Sequence, residues 1–87
     1  MKKVVVNGAA GKMGKETVAT IEAAEDFVLA GALGRQDDLK TSLQRIQPDV
    51  LIDFTNPEGL FDRVYVAIAC GVDVIVGSTG LSQTQMD

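Results

Sequence analysis

Residues Val4 to Met13, VVVNGAAGKM, constrain this chain more than any other stretch: a β-branched run breaks at a glycine, turns through a second, and enters a helical pattern. A strand that stops at Gly8 and turns through Gly11 into a helix leaves backbone N–H groups pointing outward at the corner. Only small residues there let a pyrophosphate come close, so the stretch reads as a dinucleotide-binding turn.

The spacing supports this by context more than by pattern. Gly8, Gly11 and Gly14 form G-x-x-G-x-x-G, whereas the usual dinucleotide fingerprint has its second glycine one residue earlier. The glycines nevertheless follow a predicted strand and open a predicted helix, and Gly14 would let that helix lie close to the sheet. The same residues also suit a tight turn with nothing bound.

The rest of the chain repeats the rhythm. Lys3 to Asn7 is an uninterrupted strand, as in a parallel sheet covered on both faces. Met13, Val18, Ile21 and Ala24 share one side of the first helix, which is expected to end near Glu25 and Asp26. Phe27 to Leu33 is the second strand, after which Gly34 lets the chain turn away. Leu39, Leu43 and Ile46 mark a short one-sided helix that Pro48 stops. Asp49 to Thr55 is the third strand, followed by Asn56 as helix cap, Pro57 at the first position and Glu58 in the first turn. Leu60, Phe61, Val64, Ala67 and Ile68 make a broad apolar face, and Gly71 stands where the helix would end left-handed. Val72 to Gly77 is the fourth strand, and Ser82 looks like the cap of a further helix.

This βαβαβαβ order predicts an α/β fold, a Rossmann-like three-layer α/β/α arrangement with a mainly parallel sheet of about four strands. The order 2-1-3-4 is preferred to the simple winding 3-2-1, because it sets the ends of strands 1 and 3 side by side and opens the crevice where such sheets bind ligands. At 87 residues one layered core is the ceiling, and with 5% aromatic residues that core must be aliphatic. The net charge of −4 argues against a general grip on nucleic acid or anionic lipid, so an anionic ligand must be held locally. No histidine and the single Cys70 exclude the usual zinc ligands and an internal disulfide. A cytoplasmic setting fits, with Cys70 a buried structural thiol. No segment reaches the roughly 20 apolar residues of a membrane span.

Two further places carry chemistry. An acidic residue normally stands about 20 positions past the glycines to bind ribose hydroxyls, but here Gly34 and Arg35 stand at the end of strand 2. A guanidinium there can pair with the 2′-phosphate of NADP, or it can be a solvated surface arginine. Asp37 and Asp38 would serve the ribose only if the turn folds back; otherwise they are helix N-terminal acids. Asp53-Phe54-Thr55 and Gly77-Ser78-Thr79-Gly80 end strands 3 and 4 at the same edge, where small residues would admit a flat ring or simply form caps and turns. Asp53 is flanked by apolar residues, and no partner is assigned to it.

Taken together, VVVNGAAGKMGKE, DVLIDFTNPEG and DVIVGSTGLS resemble three elements, in the right order, of 4-hydroxy-tetrahydrodipicolinate reductase (dihydrodipicolinate reductase) of bacterial lysine and diaminopimelate biosynthesis. The family's glycine loop typically reads G-x-x-G-R/K-M-G, its second element D-F-T/S-x-P, and its third G-T-T-G, here with one serine for threonine. The resemblance implies that Gly8, Ala9, Ala10, Gly11, Lys12 and Met13 bind a pyrophosphate and Arg35 the adenosine 2′-phosphate. It places Phe54, Thr55, Gly77, Ser78 and Thr79 around the nicotinamide, with Thr79 also approaching a substrate carboxylate. The implied cofactor is NADPH, with NADH as the other candidate; Gly34, at a place often acidic in the family, disfavours strong NADH binding.

The resemblance also implies a second domain bearing the histidine-rich motif, a lysine and a carboxylate clamp, which would bind the small-molecule substrate and mediate a homotetramer. Residues 1–87 are therefore expected to be a truncated NAD(P)-binding domain that holds cofactor but contains no catalytic residue and does not turn over. Apolar surface near strand 4 is expected to lie uncovered and to promote self-association. The alternatives are a stand-alone nucleotide- or CoA-binding module, and a folded fragment that binds nothing.

Overall fold

A computed structural model describes residues 1–34, 36–55 and 59–77. Along them run β1 (Lys2–Asn7), α1 (Lys12–Ala23), β2 (Phe27–Leu33), α2 (Leu39–Ile46), β3 (Val50–Asp53), α3 (Leu60–Ala69) and β4 (Asp73–Val76). Every strand pair is parallel and the sheet order is β2-β1-β3-β4, the Rossmann-like order expected from the sequence.

β1 is β-branched throughout its centre because both of its faces are covered. Val4 and Val6 pack with Ile21 on the α1 side, while Val5 joins Leu33, Leu43, Leu51, Ala67 and Val72 on the side of α2 and α3. All three valines are at most 3% exposed, and burying each contributes about 1.5–3 kcal/mol.

Several boundaries differ from expectation for local reasons. β3 stops at Asp53 instead of Thr55, because the Asp53 carboxylate accepts hydrogen bonds from Thr55 N–H and Oγ1–H and curls the chain out of the ladder. β4 is the shorter Asp73–Val76, without Val72 and Gly77. α1 ends at Ala23, where Ala24 leaves helical geometry with its N–H on the Ile21 carbonyl, short of Glu25 and Asp26. α3 begins at Leu60 after a left-handed Gly59; the expected caps Asn56, Pro57 and Glu58, like the expected helix start at Ser82, lie outside the described residues. Gly71 is left-handed beyond the end of α3, as anticipated (φ +77°).

Two helix faces also differ from expectation. On α1 the buried stripe is Gly14, Val18 and Ile21, at spacings of four and three, and Met13 is 41% exposed. Having no side chain, Gly14 is invisible to a hydrophobicity pattern. On α3 the sheet-facing residues are Val66, Ala67 and Cys70, whereas Phe61 (89%), Tyr65 (75%) and Ile68 (65%) are exposed. The helix turns its slim side inward, which lets Arg63, one turn before Ala67, reach Asp53. Cys70 is half-buried rather than buried. Beside β4, Ile75 and Val76 are exposed, as expected of that edge. Among the described residues no helix is long and apolar enough to cross a membrane.

Candidate functional site

Parallel pairing brings the carboxyl ends of all four strands to one rim, with Asn7 opposite both Leu33 and Asp53, and Asp53 opposite Val76. The next residue of each strand, Gly8, Gly34, Phe54 or Gly77, therefore lies along a single edge. Backbone bonds tie three of them to the last residue of the neighbouring strand: Gly8 N–H to Leu33 O (2.9 Å), Phe54 N–H to Asn7 O (2.9 Å) and Gly77 N–H to Asp53 O (2.8 Å). Over the switch between β1 and β3 opens a cleft of about 510 Å³, lined by Asn7, Gly8, Ala10, Gly11, Gly34, Asp37, Leu39, Phe54, Thr55 and Arg63. Crevices of this kind, between strands whose connections run opposite ways, are where open α/β sheets bind ligands.

The three glycines of the turn have different reasons to be glycine. Gly8 has φ +81° and lies against Phe54 and Thr55, so a side chain would be strained as well as crowded. A Cβ on Gly14 would strike the Gly8 carbonyl and the Ala9 backbone. Gly11 is neither strained nor crowded: φ is −73° and the nearest atom to a built Cβ is Gly8 O at 3.6 Å. Among the described residues nothing in the packing asks for glycine at this position, which lines the cleft. Gly34, also on the cleft, likewise has no described residue within 4 Å of a built Cβ.

Gly11 is the N-cap of α1 and supplies no side-chain hydrogen bond, and the first turn holds no acidic residue. The N–H groups of Lys12, Met13 and Gly14 in that turn lack a partner four residues back within the helix, and the positive end of the dipole is uncompensated by any carboxylate of the turn. α2 is the contrast. Its cap, Asp38, accepts from Thr41 N–H (3.0 Å) and Thr41 Oγ1–H (2.5 Å), bonds that hold its carboxyl below the ordinary value of 3.8. Of these two N-termini, only that of α1 is left to accept an anion.

The outward N–H groups expected of the whole turn are fewer than its sequence suggests. Gly8 and Ala9 N–H both donate to the Leu33 carbonyl (2.9 and 3.1 Å), and Gly11 N–H is directed at Gly8 O (3.3 Å). These bonds tie the turn to β2 and remove the Ala9 N–H from ligand binding. Asp37 folds back so that Oδ2 accepts from Gly34 N–H (2.8 Å) at the cleft edge, while Asp38 is the helix cap.

Asp53, 1% exposed, has the partner that the sequence did not reveal. Oδ1 accepts from Thr55 N–H (2.8 Å) and Thr55 Oγ1–H (2.5 Å), and Oδ2 accepts from Arg63 Nε–H (2.6 Å). The signal was present in principle, since Arg63 shares its helix side with Ala67 and Cys70 at spacings of four and seven. Of the anticipated ligand residues, the structure brings Gly8, Ala10, Gly11, Phe54 and Thr55 to one cleft. Gly77 adjoins Phe54, because a Cβ on Gly77 would run into the Phe54 ring. Arg35, Ser78 and Thr79 lie outside the described residues.

Comparison with known proteins agrees with this fold. A family model described as "Dihydrodipicolinate reductase, N-terminus" matches residues 2–87. The chain is 40% identical over 83 residues to a 4-hydroxy-tetrahydrodipicolinate reductase of Coxiella burnetii, covering 95% of this chain and 35% of the relative. It is 39% identical over 110 aligned positions to one of Gloeothece citriformis, covering 95% and 40%. A dipicolinate-bound dihydrodipicolinate reductase from Paenisporosarcina sp. TG-14 superposes with a TM-score of 0.84 at 25% identity, over 95% of this chain and 41% of that one. The chain thus spans well under half the length of these relatives.

Proposed function

The chain belongs to the dihydrodipicolinate reductase family, whose amino-terminal domain it matches over residues 2–87, and we propose on that footing that it holds the nicotinamide dinucleotide of an NAD(P)H-dependent 4-hydroxy-tetrahydrodipicolinate reductase of lysine and diaminopimelate biosynthesis. The observation that carries this reading is Gly11: a residue free of strain and crowding, without a side chain, at the uncapped start of a helix on the cleft. A pyrophosphate there would meet the N–H groups of the first turn of α1, with Lys12 in that turn.

The remaining residues are assigned by the strand that each follows in the sequence. Arg35 follows the end of β2 and is assigned the 2′-phosphate of NADPH, with Asp37 beside Gly34 at the ribose edge. Phe54, Thr55 and Gly77, with Ser78 and Thr79 beyond them, are assigned to the nicotinamide, and Thr79 to a substrate carboxylate. When bound, the reduced nicotinamide would supply a hydride to the unsaturated ring of the substrate. The chain's own contribution is to orient that cofactor; proton delivery is assigned to no residue of this sequence. The 87-residue chain is therefore expected to bind cofactor without turning over.

Fluorescence titration with NADPH, NADH and CoA tests the reading. Saturable binding of NADPH is expected, and Arg35→Ala should weaken it by about 1–3 kcal/mol while sparing NADH. Saturation by CoA with neither dinucleotide bound would overturn the assignment in favour of a stand-alone module.

A further inference from the structure

Arg63 is the only cation among the described residues that line the cleft, and the one acid there, Asp37, directs an oxygen at Gly34 N–H. Its setting is polarised. The Asp53 carboxylate beneath is 1% exposed and the Arg63 side chain 18% exposed, so the pair stands with its anion inside the sheet end and its cation at the cleft. A guanidinium is a rigid fork with five donors, and fixing Nε at 2.6 Å sets the plane of the whole group. The same carboxylate fixes Thr55, which also lines the cleft and lies against Gly8 of the turn. One buried carboxylate thus orients two groups that line the cleft.

We propose that Arg63, aimed by Asp53, is the cleft's cation for the pyrophosphate shared by NADPH and NADH, so that it governs affinity for both dinucleotides whereas Arg35 governs the choice between them. This rests on the nucleotide-binding reading above. Asp53 is a positioning residue in this scheme, and Arg63 touches the ligand. A charge-assisted bond to a phosphate oxygen is the strong class of hydrogen bond.

Removing Arg63 alone would strand a buried carboxylate, so the test uses the paired variant Asp53→Asn/Arg63→Gln together with Arg63→Lys, which keeps the charge and loses the fork. Kd is measured by titration for NADPH, NADH and adenosine, at two salt concentrations, on protein whose melting curve shows it to be folded. The paired variant should lose about tenfold or more in affinity for both dinucleotides, equally, with adenosine unaffected and the salt dependence shallower. Arg63→Lys should lose less, again equally for the two. Should the paired variant not fold, Arg63→Lys decides by the same comparison. Wild-type affinity for both dinucleotides in the folded variants, or a loss confined to NADPH, would overturn this proposal alone. A wild-type chain that binds neither dinucleotide would overturn it together with the reading it rests on.

Discussion

Replacing Gly14 by alanine puts a methyl group where the β1–α1 turn already stands. The new Cβ would be driven into the Gly8 carbonyl oxygen and would lie 2.8 Å from Ala9 Cα and 2.9 Å from Ala9 C. Carbon atoms rest about 3.5–4.0 Å apart, so α1 must retreat by about 0.7 Å to clear Ala9 Cα, and further to clear the oxygen. No side chain can give way, since all three obstacles are backbone and Gly8 and Ala9 are held by bonds to Leu33 O. Overpacking of this sort costs about 1–3 kcal/mol, and a retreating α1 also loosens Ile21 against Val4 and Val6. Alanine offsets part of this through helix propensity, about 0.5–1 kcal/mol. The expected net loss is about 1–2 kcal/mol, or about 5–15 °C in Tm for a domain of this size. Thermal and urea denaturation followed by circular dichroism measures it, with Thr20→Ala on the exposed side of α1 as a control that should be close to neutral. The same retreat moves the first turn of α1 off the rim, so NADPH affinity should fall as well. A Gly14→Ala protein that melts at or above the wild-type temperature would refute the packing argument.

Three other predictions probe different parts of the chain. Gly11→Ser should stabilise the chain by a few tenths of a kcal/mol, because serine caps the helix that glycine leaves bare, and should weaken NADPH; tighter or unchanged binding would deny that the helix start is reserved for a ligand. Gly77→Ala should cost about 1–3 kcal/mol, its Cβ lying 2.6 Å from Phe54 Cδ1 and 3.0 Å from Cζ, and Phe54→Leu should recover much of it in a double-mutant cycle. Additive losses would show that the two do not touch. Asp38 has a lowered pKa from its bonds to Thr41, so its charged cap stabilises α2 above pH 3.8 and that contribution fades as the pH falls through the lowered value. The gap in Tm between wild type and Asp38→Ala should accordingly be widest near neutrality and narrow in acid; a constant gap would assign the capping to geometry without charge.

The sequence alone was sufficient for whatever follows from local pattern. The unbroken valines of β1 announced a strand covered on both sides, and the glycine corner and the alternation of periods announced parallel βα units. The order β2-β1-β3-β4 followed from the requirement that a ligand crevice open beside β1. What tertiary structure decided is which residue meets which across elements. It chose Gly14 over Met13 for the buried side of α1, turned Phe61 and Ile68 of α3 outward, tied the Gly8 and Ala9 N–H groups to Leu33, and paired Asp53 with Arg63. The physical reason is that periodicity registers how many apolar residues an element has on a side. Whether that side fits depends on the shape and charge of its neighbour, here a crowded turn at one end of α1 and a buried carboxylate beneath the start of α3.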